Sequence, residues 1–420
     1  MKTHEDNKKD VTIGRTKQIE IMLLTCLICI ATNEVQASGK VDYVDVSHPK
    51  TLGVDQLKVE RIPLGQVGDY KPCMIKLDNG ELLLTAFSGA GSVSDEYVFF
   101  YRSRDGGKTW SDREYRDLLG REPYLSRISD GTIFISTHVL GSARGNVEHY
   151  VYSYLYRSTD HGRTWQWDKT AIDDRLLSAR KNDTRPETAP VVTSRNVLEL
   201  SDGSLIFAVG SQFGSEFLWR SNDKGKTWDK SLPSEFDALD IATYQWSVQQ
   251  EAILWQAPSG DLLSVCRISP KFYPMIEGID RPRTSVDHYE RLVLYRSKDG
   301  GRKWFYEEIG SYYGEMYPSI LRLTDGRLLC TFTMRAAVAP QEAPLGVHAV
   351  LGEETQDSFK FDFEHDRIRL DTKTPVGLHS GGGFGPTVQL DDGTLVTCVS
   401  YRRPDNKTEI EVIRWRLPPK

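Results

Sequence analysis

The chain has 420 residues, 39% of them hydrophobic and 27% charged, with a net charge of −6 at pH 7. That balance describes a folded chain with ample core and excludes a disordered or low-complexity one. Without a basic surplus, nucleic acid is excluded as the main partner.

The first segment differs from the rest. Ile19–Ala31, IEIMLLTCLICIA, is an apolar run of signal-peptide length, too short to span a bilayer comfortably. Lys8, Lys9, Arg15 and Lys17 precede it, and Val35 and Ala37 place short side chains at −3 and −1 of a cleavage point. Residues 1–37 therefore read as a signal peptide, 38–56 as an N-terminal extension, and export to the periplasm or the medium is expected, with no stable membrane insertion after cleavage. Cleavage would remove Cys26 and Cys29. The other cysteines, Cys73, Cys266, Cys330 and Cys398, each lie in an apolar strand-like run. They show no metal-ligand spacing, so buried thiols are expected, a disulfide stays open in an oxidising compartment, and neither metal nor cofactor is implied.

From Leu57 onward one phrase recurs. KLDNGELLLTAF, RISDGTIFISTH, ELSDGSLIFAVG, QAPSGDLLSVCR, RLTDGRLLCTFT and QLDDGTLVTCVS carry turn glycines at Gly80, Gly131, Gly203, Gly260, Gly326 and Gly393. Each phrase is a strand, a tight turn and a second strand. In the first four units a third strand follows, of the YVFFYRS or RLVLYRS kind, and a fourth completes the unit. Six four-stranded antiparallel units predict an all-β chain, a six-bladed β-propeller over residues 57–420. The last unit has only three strands of its own, and LKVERIP (Leu57–Pro63) is available as the missing outer strand.

A second repeat lies between strands three and four: SRDGGKTW (103–110), STDHGRTW (158–165), SNDKGKTW (221–228) and SKDGGRKW (297–304). Asp and Ser accept backbone N–H bonds in tight turns, Gly takes a positive φ, and Trp packs into the core. One active site needs different groups in different roles, so four equal copies read as scaffold.

This phrase resembles the Asp-box, or bacterial neuraminidase, repeat, and the arrangement from about residue 57 is similar to the sialidase superfamily of six-bladed propellers. The resemblance implies a glycan or oligosaccharide substrate, a monomer, and a site at the axial funnel, where the inner strands converge. Nine residues before each turn glycine stand Lys71, Glu122, Ser194, Glu251, Tyr317 and Phe384. The resemblance makes Asp95, in the loop GAGSVSDEY, the acid/base group, Glu251 the residue that polarises a nucleophile and Arg267 a carboxylate ligand. The chain then departs from the family. Lys71 stands for its first Arg and Phe384 for its nucleophilic Tyr, while Tyr317 occupies the equivalent place one blade earlier. The place of the family's third Arg falls to His348, with Arg335 near the mouth.

Glycoside cleavage ordinarily uses two carboxyl groups, and Glu122 and Glu187 join Asp95 and Glu251 as candidates. His138 ends its strand where Arg267 ends the corresponding one, so both can face the funnel. These residues point to an exo-acting glycoside hydrolase that takes a terminal, acidic sugar, sialic acid among the options. His138 and His149 keep open a polysaccharide lyase acting on uronates, and the missing Tyr keeps open a non-catalytic sugar-binding propeller.

Overall fold

The computed structural model describes residues 39–88, 97–138, 150–173, 191–211, 216–236, 251–268, 290–335, 344–375 and 382–419. Two strands come first, β1 (Lys40–Ser47) and β2 (Gln56–Leu64). Blade one is β3 (Asp69–Lys76), β4 (Leu82–Ser88), β5 (Tyr97–Ser103) and β6 (Glu114–Leu119). Blade two is β7 (Arg121–Arg127), β8 (Ile133–His138), β9 (Tyr150–Ser158) and β10 (Gln166–Asp173). Blade three is β11 (Val191–Thr193), β12 (Leu198–Glu199), β13 (Leu205–Ser211) and β14 (Glu216–Ser221), with bridges Arg220↔Asp229 and Phe217↔Pro233 at its outer edge. β15 (Glu235–Phe236) runs parallel to the outer strand of blade four, which is β16 (Ile253–Gln256), β17 (Leu262–Ile268), β18 (Arg291–Ser297) and β19 (Lys303–Glu307). Blade five is β20 (Glu315–Arg322), β21 (Leu328–Met334) and β22 (Gly346–Glu354), with β23 (Phe359–Phe361) and β24 (Arg367–Arg369) both on β22. Blade six is β25 (Thr387–Gln389), β26 (Leu395–Arg402) and β27 (Thr408–Trp415).

Alternation along these strands builds the core. Leu82, Leu84 and Ala86 point one way, into a cluster with Val396, Cys398 and Val412 of blade six; Leu83 points the other way, into a cluster with Ile133 and Ile135 of blade two. Further clusters join blades two and three, three and four, four and five, and five and six. The apolar core is thus a closed ring of inter-blade layers, as period-two strands buried on both faces require. Cys73, Cys266, Cys330 and Cys398 are buried thiols within these layers.

The ring closes through the N-terminal strand. β2 pairs with β27 from Val59↔Trp415 to Leu64↔Ile410, so LKVERIP is the fourth strand of blade six. β1 pairs with β2 and, through Val46↔Ile368, with β24, which ties blade six to blade five. Arg61 fastens the seam. It donates to Asp42 (2.7 Å), Glu411 (2.6 Å), the Leu370 carbonyl (2.9 Å) and Thr372 (2.8 Å).

The four Ser-x-Asp phrases are turns. Asp105 Oδ1 accepts from the Ser103 hydroxyl (2.9 Å) and from the Lys108 and Thr109 amides (3.0 Å each); Asp160, Asp223 and Asp299 repeat the pattern. Each Trp then packs on the preceding blade: Trp110 with Val396 and Val412, Trp165 stacked on Phe100, Trp228 edge to face with Phe134, Trp304 with Leu218. The phrase glycine lies in the same seam. A Cβ on Gly301, whose φ is +93°, would stand 2.1 Å from Leu218 Cδ2, so no side chain fits there.

Candidate functional site

Five inner strands begin with the same backbone departure. Lys71, Glu122, Glu251, Tyr317 and Phe384 have φ of 47°, 56°, 57°, 58° and 59°. A left-handed non-glycine residue costs roughly 1–3 kcal/mol, and such residues gather at functional sites. The ladder shifts between Tyr70 and Cys73, between Arg121 and Tyr124, and between Met316 and Ser319. A bulge of this kind adds one residue and re-aims its side chain. Here the re-aimed side chains leave their blades and meet on the axis.

Blade three departs from the rule. Its register runs from Thr193↔Val209 to Leu198↔Ile206, so the inner strand carries two more residues than its partner. The Ser194 hydroxyl stays within the blade, donating to the Asn196 carbonyl (2.9 Å) and accepting from the Ala208 amide (3.1 Å). Arg195, a residue the spacing did not single out, reaches the axis instead and is 1% exposed. The one signal for it was an Arg at the mouth of an apolar strand beside the counted position.

An alternating chain of charges links four blades. Lys71 Nζ pairs with Glu122 Oε1. Arg195 Nη2 lies 2.9 Å from Glu122 Oε2 and also pairs with Glu251 Oε1. Arg267 Nε lies 2.7 Å from Glu251 Oε2, and its Nη1 donates to Glu290 at 2.7 Å. Tyr317 stands among the cations. Its ring centroid is 4.1 Å from Lys71 Nζ and 5.4–5.6 Å from the guanidinium carbons of Arg195, Arg267 and Arg335. Its hydroxyl accepts from Arg335 Nη1 at 2.6 Å. Phe384 closes the base, with Lys71 Nζ 5.3 Å and the Arg195 guanidinium 4.2 Å from its ring.

The surroundings drive the titrations apart. Burial raises the proton affinity of Glu122, but the charges of Lys71 and Arg195 outweigh it and hold the carboxyl well below the usual range. Burial wins at Glu251, with the Glu122 charge adding to it, and lifts that carboxyl above its ordinary value despite Arg195 and Arg267. Burial also lifts the Tyr317 phenol and lowers the Lys71 ammonium. His138 lies beside both carboxylates, its nearest nitrogen within 4.8 Å of an oxygen of each; burial, with the Arg195 charge, brings its pKa down to about 3. The imidazole is therefore neutral near pH 7. Lys71, Arg195 and Arg267 already face the carboxylate oxygens, so the cluster is not assigned as a metal centre.

Seven expected site residues thus come together: Lys71, Glu122, His138, Glu251, Arg267, Tyr317 and Arg335. His348 does not. It is buried inside blade five, bonded to the Pro344 carbonyl (2.7 Å) and Arg367 (3.1 Å) and stacked on Phe332. Strand alternation turns its side chain into the inter-blade layer, and burial holds it well below the usual histidine range. Asp95, His149 and Glu187 lie outside the described residues. Glu290 is a further member that the spacing did not identify.

A model of the BNR/Asp-box repeat matches residues 101–112, the end of β5 and the turn that follows it. The chain is an Asp-box six-bladed β-propeller. The propeller superposes on a protein of unknown function from Dyadobacter fermentans with a TM-score of 0.60 at 20% identity, covering 91% of this chain and 100% of that one. It superposes on an alpha-L-arabinofuranosidase from Fusarium graminearum, solved with an iminosugar inhibitor, with a TM-score of 0.55 at 15% identity over 90% and 99% of the two chains. The intramolecular trans-sialidase from Ruminococcus gnavus, solved with oseltamivir carboxylate, gives 0.55 at 14% identity over 84% and 96%. At these identities the likeness is one of fold.

Proposed function

We propose that this propeller is an exported glycoside hydrolase that removes a terminal acidic sugar, a sialic or uronic acid, from a glycan. The observation that carries the reading is the convergence of Lys71, Arg195, Arg267 and Arg335 on the Tyr317 ring. Cations gathered in a low-dielectric site favour an anionic ligand, and Arg matches a carboxylate bidentately. Beside them stand two carboxyl groups whose proton affinities are pushed in opposite directions, the pattern expected of paired acid–base groups.

In this reading Glu251 accepts and returns a proton, and the oxygen of Tyr317 stands beside the reacting carbon. Arg267, Arg335 and Lys71 hold the sugar carboxylate, and Glu122 stays ionised as a fixed negative charge that stabilises a developing oxocarbenium ion. Asp95 is the proposed donor to the leaving oxygen. The fold neighbours act on different sugars, so the acidic class rests on the charges of this chain alone.

One observation favours a second reading. His138 is neutral and buried beside both carboxylates, and its Nδ1 has no hydrogen-bond partner among the described residues. A neutral imidazole is the form a lyase would use to take a proton from a uronate. Incubation of the purified chain with sialosides, uronic-acid oligosaccharides and aryl glycosides separates the two. Release of a free terminal sugar supports hydrolysis. An unsaturated uronate that absorbs in the ultraviolet supports the lyase. Glycan binding without any product would leave a binding propeller.

A further inference from the structure

We propose that Arg195 is a positioning residue: through a single guanidinium nitrogen it makes Glu122 and Glu251 one coupled acid–base pair. Nη2 lies 2.9 Å from Glu122 Oε2 and also pairs with Glu251 Oε1, while Nη1 donates to the Glu122 carbonyl at 3.4 Å. Among the described residues Lys71 reaches Glu122 and Arg267 reaches Glu251; Arg195 reaches both.

The guanidinium is fixed from behind and from below. Phe384 lies 4.2 Å from it, and the Arg195 amide donates to the Ala252 carbonyl at 2.7 Å. That amide bond, together with Glu251 N–H to the Thr193 carbonyl at 3.0 Å, joins blade three to blade four beside the pair. Arg195 is therefore built into the same inter-blade joint that presents Glu251.

The physics follows from the separation. Glu122 and Glu251 each place an oxygen within 4.8 Å of the other, and both are buried. Two like charges so placed repel, and the pair relieves the repulsion by binding a proton on one member. A cation between them weakens that drive, and an Arg cannot escape by losing its own proton. The other groups facing the pair are Lys71, Arg121 and Tyr70 around Glu122, Arg267 and Tyr317 around Glu251, and neutral His138 beside both. Arg195 is the leading charge that favours ionised Glu251, ahead of Arg267, whereas Lys71 leads at Glu122, so loss of Arg195 falls chiefly on Glu251.

The inference rests on the hydrolase reading only where it treats Glu251 as the reactive carboxyl; the coupling itself needs no substrate. The test is a carbon-13 NMR titration of the glutamate carboxyls in the whole chain, with the two signals assigned by their loss in E122Q and E251Q. Glu251 is expected to titrate above Glu122. Arg195→Gln should raise the Glu251 midpoint by more than one pH unit, a tenfold gain in proton affinity, and Arg195→Lys, which keeps the charge without the fork, should raise it less. A Glu251 midpoint unmoved in folded Arg195→Gln overturns the proposal. If that variant does not fold, the E122Q spectrum decides. Removal of the neighbouring charge should lower the Glu251 midpoint, and an unchanged midpoint denies the coupling. Should every substrate prove inert, the hydrolase reading fails while these midpoints still decide the role of Arg195.

Discussion

Tyr317 and Phe384 meet edge to face, with ring centroids 5.5 Å apart and planes at 69°. They hold the same position in adjacent blades, and of the two only Tyr317 carries an oxygen, bonded to Arg335 at 2.6 Å. Tyr317→Phe leaves the ring packing intact and removes that oxygen. We expect kcat to fall at least ~10²-fold, the scale of losing one well-placed polar group at a reacting centre, with the thermal midpoint little changed. A variant as fast as the wild type would take Tyr317 out of the chemistry.

Glu251→Gln keeps the shape of the side chain and ends its proton transfer. Turnover should drop by about 10²–10⁴ while calorimetry still detects the sugar. Burial raises the Glu251 carboxyl above the ordinary range, so a base at this position fails as pH falls through that raised value. The wild-type acid limb should therefore lie above a normal glutamate midpoint. Unimpaired turnover in the variant would remove Glu251 from the mechanism.

His138 makes the fold sensitive to acid. Its pKa falls from 6.5 to about 3 in the native state, so between those values the unfolded chain binds more protons and stability is lost as pH falls. Between pH 7 and pH 5 the linkage amounts to about 2 kcal/mol. His138→Asn should lose correspondingly less than the wild type over that interval in urea titrations. Equal losses in the two proteins would show that His138 is charged in the fold.

Asp105→Ala removes the acceptor of four hydrogen bonds, from Ser103, the Lys108 amide, and the Thr109 amide and hydroxyl. These bonds shape a turn at the partly exposed edge of blade one. We expect about 1–3 kcal/mol of lost stability, read as a lower midpoint in denaturant, with kcat retained. A selective loss of kcat at full stability would give the repeat a chemical role.

Arg61→Ala breaks the seam where β2 closes blade six. Among the described residues it leaves Glu411, itself 1% exposed, with Lys373 alone as a counter-charge. Removing one partner of a buried pair costs about 3–5 kcal/mol, so the thermal midpoint should drop steeply. An unchanged midpoint would mean that the N-terminal strand is not needed to hold the ring.

Much of this was legible from spacing. The six turn glycines fix the blades, and counting back from them finds Lys71, Glu122, Glu251, Tyr317 and Phe384, because these positions share one left-handed backbone departure at the same distance from each turn. Arg195 escaped the count because blade three inserts two residues where blades one, two and five insert one. His348 was misplaced for a different reason. Its strand register is right, but alternation turns the side chain into the core, and a period of two reverses with a single residue.

The sequence by itself determined the all-β architecture, the six blades, the strand that closes them and the scaffold role of SRDGGKTW and its copies. These depend on local chemistry: alternation, turn residues and side chains that bond their own backbone. Only the tertiary structure decided which charges meet. Lys71, Glu122, Arg195, Glu251, Arg267 and Glu290 come from blades one to four, and the order in which they pair across the axis depends on how each side chain is aimed, at Lys71 and Glu122 by a bulge and at Arg195 by the two-residue insertion. Proton affinities at the axis follow from that order, because burial and neighbouring charge act through space and leave no trace in the spacing of residues along the chain.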